Sequence, residues 1–125
     1  MHKSRLSTFV IDCKVEDIDA AARFWGQALG RAVAPVTPES GNYRELVVSA
    51  SEPMLLLQKV SHDSRIHLDI ETDDLEAEVK RLEALGARRV QNRERWWVLE
   101  SATGQRFCVV NPQRGPLTDG ASTWK

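Results

Sequence analysis

The chain holds only three histidines and two cysteines, and their spacing from one another and from carboxylates decides what they can do together. His67, Asp69 and Glu71 alternate along one short run, so in an extended segment all three project from one face; Asp12 has the same parity in an earlier run. A histidine beside carboxylates can act as a general base or hold a polar ligand group, since its pKa lies near neutrality. The competing readings are a hydrogen-bonded structural histidine and a solvated polar face, and the second accounts well for Glu71. Cys108 would be a nucleophile only with a cation nearby to favour its thiolate. His62 lies in Ser61-His62-Asp63-Ser64-Arg65, an expected exposed loop, and its spacing of five from His67 is not that of a helical zinc pair. No phosphate loop, Gly-x-Ser-x-Gly elbow or dinucleotide glycine pattern occurs.

Aromatic and apolar residues offer a second kind of site. Trp96 and Trp97 are adjacent, so on a strand they face opposite ways: one indole is open to a ligand while the other packs under a helix, unless both are core. Met54 and Leu56 share parity with Gln58, and an apolar surface with a few polar groups is the usual lining of a small-molecule pocket.

Positioning these residues takes two copies of one module. Val15-Glu16-Asp17-Ile18-Asp19-Ala20 is echoed by Thr72-Asp73-Asp74-Leu75-Glu76-Ala77 at an offset of 57, and Ala28-Leu29-Gly30 by Ala84-Leu85-Gly86 at an offset of 56. Phe9, Ile11 and Cys13 alternate with Thr8, Val10 and Asp12, as Ile66, Leu68 and Ile70 do with His67, Asp69 and Glu71, so each copy opens on a strand with unlike faces. Asp17 and Asp74 are placed to cap a helix. Ile18, Ala21, Ala22, Trp25 and Leu29 in one, and Leu75, Val79 and Leu82 in the other, form its apolar stripe, with Gly30 and Gly86 just past the last turn. Strand-like runs follow at 31–36, 43–50 and 53–59 in the first copy and at 87–91, 95–100 and 105–111 in the second. Strand, helix and three strands, twice over, predict an α+β fold in which each helix covers one face of its own sheet. Module one spans about 7–60 and module two about 64–112, together one domain over 1–112, and the unpatterned residues 113–125 read as a loosely held tail. Trp124 in that tail either docks, on this subunit or on a partner, or lies exposed.

These residues resemble the vicinal-oxygen-chelate superfamily, the glyoxalase, bleomycin-resistance and ring-cleaving dioxygenase group, and most of all its small glyoxalase-like domains. The resemblance runs over about 7–112. It rests on Ala22-Arg23-Phe24-Trp25 through Leu29-Gly30, on His67-Leu68-Asp69-Ile70 through Asp74 to Leu85-Gly86-Ala87, and on Gly104-Gln105-Arg106-Phe107-Cys108-Val109-Val110. It implies two tandem βαβββ modules forming a cup-shaped mixed β-sheet, often dimeric. It also implies a divalent ion held by His, Gln or Glu from the first and last strands of both modules, acting as a Lewis acid on two vicinal oxygens. Carried over position by position, those ligands fall on Val10, His67, Cys108 and at or near Leu56, with Gln58 two residues on. Only His67 is a strong ligand, so the metal site is expected to be dismantled. The same resemblance selects Trp96 and Val98 for the cup and Trp97 and Leu99 for the core.

Composition narrows the partners. Seventeen basic residues against eighteen acidic give a net charge of -1, which provides no basic stripe for nucleic acid and no patch for anionic lipid. Asp12 interrupts the apolar run after the basic N-terminus, so no signal peptide is expected; two cysteines then read as reduced thiols of a cytoplasmic protein, with a single disulfide as the alternative. The expectation is a homodimeric glyoxalase-like protein that binds an apolar or aromatic small molecule with no metal or other cofactor. Its ligand-binding residues would be Trp96, His67, Asp69, Asp12, Met54, Leu56, Gln58, Val98 and Cys108, with His67 and Asp69 as the catalytic candidates. The alternative is a metal-dependent lyase, isomerase or dioxygenase using His67, and a third reading is a protein-interaction module with a filled cup.

Overall fold

The computed structural model describes residues 1–118 and 120–125. Two compact units emerge, Thr8–Ile66 and a second made of Met1–Ser7 with His67–Lys125. The first strand, β1 (His2–Cys13), therefore serves one unit with its opening residues and the other with its end.

In the Thr8–Ile66 unit, helix α1 (Ile18–Leu29) starts at Asp17, whose carboxylate accepts from the amides of Asp19 at 3.0 Å and Ala20 at 3.2 Å. It stops at Gly30, where the backbone turns left-handed at φ 66°, cheap only without a Cβ. The apolar stripe is the predicted one except at its end: Ile18 and Ala22 are buried and Ala21 and Trp25 partly buried against Ile11, Cys13, Leu46 and Leu57 of the sheet beneath, whereas Leu29, in the last turn, is 46% exposed. That sheet runs β2 (Tyr43–Leu46), β3 (Met54–Lys59), β1. Strand β3 lies antiparallel to β2 and parallel to β1, with Thr8 opposite Met54, Val10 opposite Leu56 and Asp12 opposite Gln58. The strand expected at 31–36 is reduced to a bridge between Val33 and Leu46, flanked by amide bonds of 2.8 Å from Ala34 to Glu45 and from Val47 to Ala32. Pro35 has no N–H with which to extend that ladder.

The second unit repeats the plan. β4 (Arg65–Thr72) leads to α2 (Leu75–Ala84), capped by Asp74 through the Ala77 amide at 3.1 Å. β5 (Arg88–Asn92), β6 (Trp96–Glu100) and β7 (Arg106–Val110) follow. β7 pairs parallel with β4 and antiparallel with β6, so the first and last strands of the repeat lie side by side as in the other unit. Val79 and Leu82 of α2 pack on Leu99 and Val109, with Ile70, Trp97 and Phe107 around them.

The tail is not loose throughout. β8 (Ser122–Trp124) pairs antiparallel with His2–Ser4, the Trp124 indole donates to Ser4 Oγ at 2.9 Å, and the Arg81 guanidinium lies over its ring at 3.8 Å. Leu117 is buried as well. Of the two possibilities for Trp124, docking on its own chain is the one realised.

Candidate functional site

The sheet face of the second unit that points away from α2 gathers most of the chemistry. Parallel pairing sets Asp69 directly across from Cys108, and antiparallel pairing sets Val98 on the other side of Cys108. His67 stands two residues before Asp69 on the same face. One ligand atom each from His67, Asp69 and Cys108 lies within 4.8 Å of the other two. His67 Nε2 is 3.4 Å from Asp69 Oδ1, an ion-pair distance without hydrogen-bond alignment, and that buried carboxylate oxygen has no hydrogen-bond partner. The His67 and Asp69 side chains are only 13% and 16% exposed. A carboxylate oxygen held out of water without a hydrogen bond is costly, and a cation placed among these three donors would relieve the cost.

Further along the same face, Trp96 sits opposite Val110 and two residues from Val98, while Trp97 turns into the core with the Arg89 guanidinium 4.8 Å above its ring. Glu71 has the parity of His67 and Asp69 but not the solvated setting expected for it. Its side chain is fully buried, paired with Arg5 Nε at 2.7 Å and accepting from the amides of Gln113 at 2.7 Å and Arg114 at 3.2 Å. It anchors the chain after β7 and is not available to a ligand.

The remaining candidates lie in the Thr8–Ile66 unit. Register and alternation put Asp12, Met54, Leu56 and Gln58 on one sheet face, away from α1. Asp12 is 2% exposed, with His62 Nε2 at 3.8 Å and Arg65 Nε at 3.7 Å from its Oδ2. His62, an exposed loop residue as expected, is thus aimed at a buried carboxylate, a relation the sequence did not signal. Burial, and then the charge of Asp12, raise the pKa of the Cys13 thiol, which keeps it protonated and inert.

The expectation of a site without metal does not stand. The positions carried over from the family left Val10 and Leu56 as non-donors, and that count passed over Asp69, which is not among them. The pairing of β4 with β7 brings Asp69 against Cys108, and with His67 it completes a three-donor cluster within one unit. With metal–donor bonds of about 2.0–2.3 Å, ligands of a tetrahedral ion sit roughly 3.3–3.7 Å apart, a spacing the His67–Asp69 pair already has.

Two strand–helix–strand repeats, each with first and last strands paired in parallel and a polar cluster on the helix-free face of the second, define a paired βαβββ protein of the vicinal-oxygen-chelate class. The chain belongs to the glyoxalase-like domain family, whose match covers residues 8–110. Among solved structures it is similar to methylmalonyl-CoA epimerase from Mycobacterium tuberculosis, at 22% identity and a TM-score of 0.61 over 86% of this chain and 87% of that one. It is also similar to a hypothetical protein from Bacillus halodurans, at 14% identity and 0.63 over 88% and 95%. A glyoxalase/bleomycin resistance protein/dioxygenase superfamily member from Vibrio splendidus is similar at 15% identity and 0.55, over 87% and 99%. At such identities the likeness is one of fold. No protein of curated function matches the sequence.

Proposed function

We propose that the chain is a metal-dependent enzyme of the lyase or isomerase kind, acting on a small molecule with two adjacent oxygens, with His67, Asp69 and Cys108 as the ligands of one divalent ion. The observation that carries this reading is the convergence of the three donors within 4.8 Å. One nitrogen, one oxygen and one sulfur suit a borderline-soft ion such as zinc, and three protein ligands leave a position open for substrate. Such an ion, when bound, supplies Lewis-acid polarisation of a substrate oxygen and no redox chemistry, which favours proton transfer next to a carbonyl over attack by dioxygen. That the same fold serves a protein named as an epimerase agrees with this choice. The chain's own part is to hold its donors on two adjacent strands, to keep water from them by burial, and to seat the apolar portion of the substrate on Val98 and Trp96. Asp12, Met54, Leu56 and Gln58 are proposed as a ligand-facing surface of the other unit. The proposal includes a homodimer and a cytoplasmic setting, with which the two free cysteines agree.

Elemental analysis after dialysis against zinc tests the reading. The expected result is about one ion per chain for the wild type and little or none for His67→Ala or Cys108→Ser, each still folded by circular dichroism. A cobalt-loaded sample should show sulfur-to-metal charge-transfer absorption that Cys108→Ser removes. A folded wild-type protein that retains no ion would sink the proposal.

A further inference from the structure

We infer that Arg93, on the hairpin between β5 and β6, recognises an anionic group of the substrate, a carboxylate or a phosphate; the inference rests on the reading of His67, Asp69 and Cys108 as the reaction centre. Most arginines of this unit are already engaged. Arg5 pairs with Glu71, Arg81 with Glu78, Arg89 with Glu76 and Glu83, and both Arg88 and Arg106 with Glu100. Arg114 donates to the Leu6 carbonyl. Among the described residues the exposed side chains of Arg93 and Arg95 have no such partner, and neither guanidinium is hydrogen-bonded to the intervening Glu94.

Position distinguishes Arg93 from an ordinary surface charge. Its amide donates to the Trp96 carbonyl at 2.9 Å, which makes the two residues cross-strand neighbours closing the Glu94-Arg95 turn. Directly opposed residues share a face, so Arg93 stands beside Trp96 on the side that carries the cluster. The next pair on that face is Gln91 with Val98, and Val98 adjoins Cys108, which adjoins Asp69. The turn is held in place: Glu94 has φ 68°, the one non-glycine residue with positive φ among those described, and its amide donates to Asn92 Oδ1 at 2.9 Å. A strained residue kept at the tip of a hairpin beside a candidate site fits a turn that must present a side chain in a fixed place.

The row sets a length. Trp96 and Val98 are two residues apart, roughly 7 Å at about 3.4 Å per residue, and β5 lies two strands from Cys108 and three from Asp69 at about 4.8 Å each, so the Arg93 backbone stands roughly 12–16 Å from those donors. The inferred substrate is an elongated compound with vicinal oxygens at one end, an apolar or flat middle lying on Val98 and Trp96, and a negative far end held by the guanidinium fork.

Calorimetry with 2-naphthyl phosphate and 2-naphthol on zinc-treated protein tests this, in wild type, Arg93→Gln and His67→Ala. The phosphate ester should bind about tenfold tighter than the alcohol in wild type and in His67→Ala alike, and the preference should shrink as salt is raised. Arg93→Gln should bring the two probes within about twofold of each other, whereas Arg88→Gln should not. A phosphate preference that survives Arg93→Gln and vanishes in His67→Ala would place the anion on the metal cluster, overturning the inference and leaving the metal reading intact. Absence of any preference, or of binding by either probe, overturns it too. An Arg93-dependent preference in wild type that retains no zinc would support the anion site and sink the metal reading alone.

Discussion

Glu78 has no exposed side-chain surface, yet its carboxylate is the hub of a charged cluster: Arg81 donates to it twice at 2.8 Å and His2 Nε2 lies 2.8 Å away. Burial by itself would raise its pKa, but the hydrogen bonds from Arg81, His2 and Ser4 outweigh that and hold it below the ordinary value. A carboxyl whose folded pKa is depressed contributes stability that is fully present above the unfolded value, about 4.3, and is lost as pH falls through the folded value. Glu78→Gln should therefore cost about 2 kcal/mol at neutral pH, by leaving the half-buried Arg81 beside an uncharged partner, and should flatten the fall in melting temperature below about pH 4. Thermal melts of both proteins across that range decide it, and equal acid slopes would count against the assignment. Side chains such as this were the least legible in the sequence. The alternation of His67 with Asp69 is local and could be read directly. The burial of Glu71 and Glu78 depends on Arg5 and His2, 66 and 76 residues away, and no short-range pattern signals partners at that distance. The three-donor cluster stayed hidden for a related reason: Asp69 and Cys108 meet only through a parallel pairing that spans a helix and two further strands.

Elements were legible where their causes are local. Both helix starts follow from an aspartate accepting from amides two or three residues ahead, and both apolar stripes from helical spacing. Trp25 belongs to such a stripe, packed on the first unit's core with Phe24 edge-on to it at 5.2 Å, whereas Trp96 stands on the helix-free face. Trp25→Ala should cost about 3 kcal/mol and Trp96→Ala clearly less, read as melting-temperature loss. Equal losses would mean that Trp96 is packed as core. Strand β8 escaped notice because three residues carry no periodicity and its stability is all borrowed. It comes from pairing with His2–Ser4, from the indole bond to Ser4 and from the Arg81 guanidinium above the ring. Trp124→Ala removes the last two, so a loss of about 1–3 kcal/mol is expected, with faster hydrogen exchange at the start of β1. Unchanged exchange there would show that β8 clamps nothing.

At the scale of the whole molecule, composition excluded more than it identified. A net charge of -1 gives no overall attraction for a polyanion, and no helix among the described residues is long and apolar enough to cross a membrane. Apolar side chains nonetheless remain in water. In the Thr8–Ile66 unit Phe24 is 61% exposed, Val36 54% and Val47 50%, and its outer strand β2 has only the two-bond bridge at Val33 along its free edge. Exposed apolar residues beside a thinly covered edge are what a second copy of the chain would remove from water, and closed twofold pairing is the commonest way to do so. The other unit guards its outer strand differently: β5 carries Arg88 and Arg89 in ion pairs and Gln91 and Asn92 exposed, side chains that discourage edge pairing. The dimer contact is therefore expected on the first unit. Light scattering should give about twice 14.1 kDa, and Val47→Lys, which sets a charge among these apolar residues without touching the core, should shift the protein toward monomer while its melting temperature measured at high concentration falls. A clean monomer at high micromolar concentration would rule out the dimer, and a dimer indifferent to Val47→Lys would place the contact elsewhere.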